Sequence, residues 1–198
     1  MTRLSRKGSQ RRQEVLRTAR DLLVDGGRAG FSMRRVAERA SMSLGNLQHY
    51  FPTQGALVEA LLDSVLSQSL DVLEQVRGRA RARPGRAALA ALVDRLLRHH
   101  RDPDLCRLFF EIWSLASHDD GARRATARFY ARYRAAIAAE LAATCPRPAR
   151  RPDPSRAILA LIEGSSLFAV GVAGPLGPAG WTALRDAALA LAGGDDSR

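Results

Sequence analysis

Apolar side chains recur every three or four residues along nearly the whole chain, and the two-residue alternation of a half-buried strand persists nowhere. The spacing predicts a first helix over residues 10–24, with Val15, Leu16, Ala19, Leu22 and Leu23 as its apolar stripe and Gly26-Gly27 as its stop. A short helix follows Ser32, whose hydroxyl can accept from an early backbone N–H, and it carries Met33, Val36, Ala37 and Ala40 on one face. Another short helix begins near Ser43 and ends at Tyr50-Phe51, ahead of Pro52. Val58, Leu61, Leu62, Val65, Val72, Leu73 and Val76 mark a long helix over 54–78. Leu89, Leu92, Val93, Leu96 and Leu97 mark the next, over 86–101. Asp102-Pro103 reads as an N-cap followed by proline in the first helical position, opening a helix with Leu105, Leu108, Phe109, Ile112 and Leu115. Gly121 restarts the chain into a helix with Phe129, Tyr133, Ile137 and Leu141. Four prolines make 144–155 a loop. An almost charge-free helix over 156–173 and an Ala-rich one over 179–192 complete about nine. The expected fold is all-α, with three short helices in residues 1–53 and a larger helical body in 54–198.

Composition narrows the class. The chain has 198 residues, of which 46% are apolar, which excludes a disordered tail or a collagen-like repeat and allows one or two domains with a real core. It carries 31 basic and 20 acidic side chains, a net charge of +11. Thirty of the basic residues are Arg, a bias that GC-rich coding produces, so their position says more than their type. Residues 1–55 carry a net charge of +7 and the remaining 143 residues only +4. A basic N-terminal module suits a polyanionic partner. Cys106 and Cys145 form no CxxC or Cys/His cluster, so neither a disulfide framework nor a zinc site is expected. His99, His100 and His118 lack a carboxylate or Cys at ligating spacing, and His118-Asp119 reads as a helix N-cap. The basic start leads to no unbroken apolar run, so no export leader is expected and a cytoplasmic protein is. The apolar stretch 157–174 carries Glu163 near its middle, where an acid costs roughly 2.5–3.5 kcal/mol on insertion, so it reads as a buried helix and not a membrane span.

Candidate chemistry concentrates in residues 31–51. Two short helices joined by about four residues have the spacing of a helix-turn-helix, whose second helix enters the major groove of DNA. Ala37, Ala40 and Leu47 are small or apolar where crossing helices must touch. Ser43, Leu44, Gly45, Asn46, Gln48 and His49 are then the exposed positions of the second helix. Asn46 and Gln48 carry the paired donor and acceptor that read an adenine edge. Ser43 suits a phosphate oxygen at the helix N-terminus, and Tyr50 offers a hydroxyl to the backbone. Ser32, Arg34 and Arg35 lie on the preceding helix, which crosses the phosphates.

The basic first helix, the double glycine, Phe31-Ser32, the run from Val36 to Ala40, Ser43-x-Gly45-x-Leu47-x-His49-Tyr50-Phe51-Pro52 and the long helix after it together resemble the TetR family of bacterial regulators. The resemblance covers about residues 10–60. It departs in three places. The family often has Gly in the turn, where this chain has Ser41. It usually has Tyr at the place of Gln48 and Lys at that of Gln54, both contacting phosphate. A left-handed Ser41 costs roughly 1 kcal/mol. Arg34, Arg35 or the arm of Arg3, Arg6, Lys7, Arg11 and Arg12 can take over the missing phosphate contacts.

The resemblance implies a homodimer built by the last two helices and a small-molecule effector held among the central ones. The nearly charge-free helix 156–173 agrees, since one small subunit cannot cover it and the last helix together. Ile158, Ile162, Ser165, Ala169, Val172, Trp181 and Leu184 are the interface candidates. Phe109, Phe110, Trp113, Tyr130, Tyr133 and Phe168 are the pocket candidates, because aromatics are scarce elsewhere in the body. Glu163 is expected to meet an interface arginine or a ligand.

No phosphate-cradling Gly-rich loop, GxSxG or HExxH is present, so an enzyme is not expected, nor is a cofactor or metal. The reading is a ligand-responsive, DNA-binding regulator, a homodimeric repressor that leaves a palindromic operator in double-stranded DNA when a small molecule binds. The alternative is a dimeric helical adaptor without specific DNA binding.

Overall fold

The computed structural model describes residues 6–82, 85–144, 154–172 and 174–193. Among these, nine α-helices and one π-helical segment occur, and no strand. They are α1 (Arg6–Gly30), α2 (Met33–Arg39), α3 (Leu44–Tyr50), α4 (Gln54–Ala82), α5 (Arg86–His99), α6 (Pro103–Ala116), α7 (Asp120–Thr144), α8 (Pro154–Leu167) with the π segment Phe168–Val172, and α9 (Pro178–Gly193). The segment expected as a proline-rich loop lies mostly outside the described residues. So do Arg3 and Cys145, and the side chains of Val72, Val76 and Val172.

Local chemistry accounts for the helix starts. Ser32 accepts from Arg35 N–H at 3.3 Å and Ser43 from Asn46 N–H at 3.2 Å, each satisfying an amide the helix leaves unpaired. Thr53 does the same for Ala56 at the head of α4, and Asp119 for Ala122 at the head of α7. Asp102 Oδ1 accepts from Asp104 N–H, with Pro103 in the first turn of α6. Two helices run differently from the spacing. α1 continues past the double glycine, but Gly27 takes φ 59°, so helical geometry breaks there and one turn follows. The helix expected over 156–173 changes to a wider π turn at Phe168.

The chain divides into two compact units. The first comprises residues 1–65 and 107–129, so most of α6 and the starts of α4 and α7 join α1, α2 and α3. Its core includes Val15, Leu23, Val36, Leu47, Phe51 and Ile112, all buried. Phe109 packs on Phe129 with ring centroids 5.2 Å apart. α4 and α7 meet through glycines: a Cβ on Gly55 would lie 2.8 Å from the Gly121 Cα. The second unit comprises 66–106 and 130–198, with α9 against both α5 and α8. Leu92, Leu96, Tyr133, Ile137, Ile158 and Ile162 fill its core. No described helix is long and apolar enough to cross a membrane.

Candidate functional site

α3 is a seven-residue helix anchored by a single inward side chain, Leu47, which is fully buried. Burying one residue in the middle of two turns turns the rest outward. Ser43, Gly45, Asn46, Gln48 and His49 are exposed, and Leu44 and Tyr50 are half-exposed. The His49 ring stands edge-on to Tyr50 and outside the core. Ser43 spends its oxygen lone pair on the Asn46 amide, which leaves its hydroxyl proton to donate outward. On α2, Arg34 and Arg35 are both exposed, Arg35 leaning back toward the Gly30 carbonyl at 3.4 Å. Ser32 is half-buried as the cap of that helix. α2 and α3 thus leave amide, hydroxyl, imidazole and guanidinium groups exposed.

The turn that sets this face uses a strained residue. Ser41 has φ 50°, so the position where the family often has Gly is left-handed here. Arg11 of α1 reaches across 29 residues and donates to the carbonyls of Ala40, at 2.6 Å, and Ser41, at 3.2 Å. The same guanidinium pairs with Glu14 at 2.6 Å. Arg12 lies over the Phe51 ring, 5.1 Å from its centroid. Two cations of the basic arm are therefore engaged inside the unit, which the sequence did not reveal. A further missed residue is Glu111. Its carboxylate accepts the Arg28 backbone N–H at 2.6 Å, and a Cβ on Gly27 would stand 3.1 Å from Glu111 Oε1. A carboxylate of α6 thus wraps the kinked end of α1.

The pocket candidates fall in two places. Phe109 is buried and Trp113 half-buried in the first unit, with Phe110 beside them at 36% exposure. Tyr133 is buried in the second unit, stacked against His100, with Tyr130 half-buried and Phe168 47% exposed. Of the interface candidates, Ile158, Ile162 and Ser165 are buried by packing within their own chain. Ala169, Trp181 and Leu184 are half-exposed, and the Arg101 guanidinium covers the Trp181 ring at 4.2 Å. Among the described residues no three His, Cys, Asp or Glu side chains gather as a metal site.

Comparison with known proteins decides the family. Residues 84–192 match the family model described as "BetI-type transcriptional repressor, C-terminal", and residues 15–61 match that of "Bacterial regulatory proteins, tetR family". The chain belongs to the TetR family of bacterial transcriptional regulators. Its helix-turn-helix is the DNA-binding part of a TetR regulator, and the helical adaptor without DNA binding is set aside. The chain is 29% identical over 165 residues to the HTH-type transcriptional regulator BetI of Burkholderia mallei, covering 83% of each chain. It is 27% identical over 167 residues to an uncharacterized HTH-type transcriptional regulator in the dhlA 5' region of Xanthobacter autotrophicus, covering 84% of this chain and 83% of that one. The TetR fold extends over nearly all of the chain. Salmonella enterica GusR superposes with a TM-score of 0.73 at 22% identity, over 96% of this chain and 98% of its own. A TetR transcription regulator from Haloarcula marismortui gives 0.72 at 21%, over 93% and 97%.

Proposed function

We propose that this TetR regulator is a homodimeric, cytoplasmic repressor that holds a palindromic operator through two copies of α3 and leaves it when a small molecule binds the helical body. The observation that carries the reading is the outward face of α3, where Gly45, Asn46, Gln48 and His49 are exposed around a buried Leu47. A helix of this size fits the major groove, which displays a distinct donor and acceptor pattern for each base pair. In this role Asn46 and Gln48 read base edges. Ser32, Arg34, Arg35, Ser43 and Tyr50 hold phosphates, and Leu44, Gly45 and His49 pack against the groove wall. The net charge of +7 in residues 1–55 supplies the sequence-independent part of the affinity.

Two heads bind one operator only at a spacing near a whole number of helical turns. An effector that binds a conformation with another spacing lowers operator affinity by its differential binding. α4 and α7 each begin in the first unit and end in the second, so both helices join head and body by continuous chain. The exposed Leu167 and Phe168, with Ala169, Trp181 and Leu184, are the surface offered to a second copy.

A binding selection on genomic DNA tests the reading. The wild type is expected to enrich one palindromic sequence. Asn46→Ala relaxes preference at one base position, costing about 1–3 kcal/mol there, whereas Arg34→Ala weakens all sequences alike and lowers the salt slope by about one. Enrichment of no sequence would falsify it.

A further inference from the structure

Glu163 of α8 is a buried acid with no ion pair among the described residues. Neither carboxylate oxygen is accessible to water or makes a hydrogen bond of good geometry among the described residues, and the Tyr130 side chain is its nearby donor. Burial pushes the carboxyl up to about 8, with the Tyr130 side chain opposing it. Its other titratable neighbours are the Cys106 thiol and the Tyr133 phenol, both raised by burial and by Glu163 itself. A base in the cluster is His100, hydrogen-bonded to the Tyr133 hydroxyl at 3.3 Å and held neutral by burial down to about 3. Ser165 and Ser166, on the same helix, both spend their hydroxyls on the Ile162 carbonyl. Among the described residues, elements α5, α6, α7 and α8 therefore bring Glu163 together with phenols, a thiol and a neutral imidazole, and no cation pairs with it.

Such a group is costly unless something answers it, since two unsatisfied acceptors in an apolar site lose their hydration outright. A buried carboxyl with no donor at hand but the Tyr130 side chain is matched by a ligand that brings positive charge and N–H donors together. Aromatic rings alongside favour a cation further. One turn on, at the same helical face, Leu167 is 37% exposed, and the backbone widens into the π segment.

We propose that Glu163 is the anionic anchor of a binding site for a small organic cation bearing N–H donors, a protonated amine or amidine, held between α7 and α8 beside Tyr130. This names the chemistry of the effector and so rests on the proposed function. The cation displaces the carboxyl proton on binding, so that an ion pair replaces a neutral acid and one proton leaves to solvent.

Calorimetric titration of the full-length protein near neutral pH tests it, with benzylammonium and benzamidinium as probes. Benzyltrimethylammonium has the charge and ring without N–H donors, and benzamide has the ring without the charge. The two donors are expected to bind at least about ten-fold tighter than either control. Titration in phosphate and in Tris is expected to show release of nearly one proton. Glu163→Gln, isosteric with the protonated acid, keeps the fold and loses about ten-fold or more of the affinity together with the proton release. Equal binding by Glu163→Gln, equal binding of the trimethylated probe, or no binding of any probe at millimolar concentration overturns the site. If the substitution changes the dimer dissociation constant and leaves probe binding alone, the anchor serves a second copy of the chain, and the proposal also fails. Operator release is measured separately: a probe that binds and leaves the protein on DNA sinks the effector reading and keeps the site.

Discussion

The Arg11 guanidinium donates to the Ala40 carbonyl at 2.6 Å and so ties α1 to the turn between α2 and α3. A charged donor on a carbonyl contributes about 1.5–3 kcal/mol when sheltered, and this one is partly exposed, so about 1 kcal/mol is expected from it. Arg11→Ala is therefore expected to lower the urea midpoint of the protein. Arg34, exposed on α2, behaves oppositely on Arg34→Ala: stability stays and the salt slope of DNA binding falls. Measuring both quantities on both variants separates the structural cation from the DNA-facing one. Equal stability of Arg11→Ala and wild type would remove Arg11 from the head's framework.

Ser41 sits at φ 50°, where a side chain costs about 1–2 kcal/mol that glycine does not incur. Glycine also gives the unfolded chain about 0.5–1 kcal/mol of extra conformational freedom. The difference predicts that Ser41→Gly stabilises by about 0.5–1 kcal/mol, seen as a higher denaturation midpoint with an unchanged slope. A lower midpoint would mean that the Ser41 side chain makes a compensating contact.

Gly55 and Gly121 allow α4 and α7 to touch backbone to backbone, since a Cβ on either would come within 3.0 Å of the other's Cα. The obstacle is main chain and cannot swing aside. Gly55→Ala is expected to destabilise by about 1–3 kcal/mol and to displace the start of α4, which follows directly on the reading helix. Chemical denaturation reads the first effect and operator affinity the second. Wild-type values for both would show that the helices separate without cost.

Glu163 predicts a pH dependence with a definite sign. Its carboxyl titrates near 8 in the folded protein and near 4.5 when unfolded. Between those values the native state holds a proton that the unfolded chain has released, so stability falls as pH rises. The contribution is complete below about 4.5 and lost through about 8. Wild type is expected to lose stability relative to Glu163→Gln between mildly acidic and mildly alkaline pH, by on the order of a few kcal/mol. His100, depressed to about 3 by burial, works in the opposite direction below 6.5, but it is present in both proteins and cancels in the difference. Parallel stability curves for the two proteins would show that the acid is solvated.

Much of this molecule is written in short-range pattern. The helices, the caps at Ser32, Ser43 and Asp119, the inward Leu47 and the outward Asn46 and Gln48 follow from spacings of three or four residues. Within that range, one helix turn brings the interacting groups together whatever the rest of the chain does. The turn at Ser41 was legible only as a conditional, because a left-handed residue depends on how the flanking helices cross. Partnerships across long stretches of chain were not legible at all. Nothing in the order of residues says that Arg11 closes on Ala40, that Glu111 caps the break at Gly27, or that Gly121 meets Gly55. Nor does it say that Glu163 finds no ion pair among the described residues, since an acid in an apolar helix has as many possible partners as the chain has arginines. Those pairings arise when helices dock, and docking depends on the shape and volume of every side chain in the core at once.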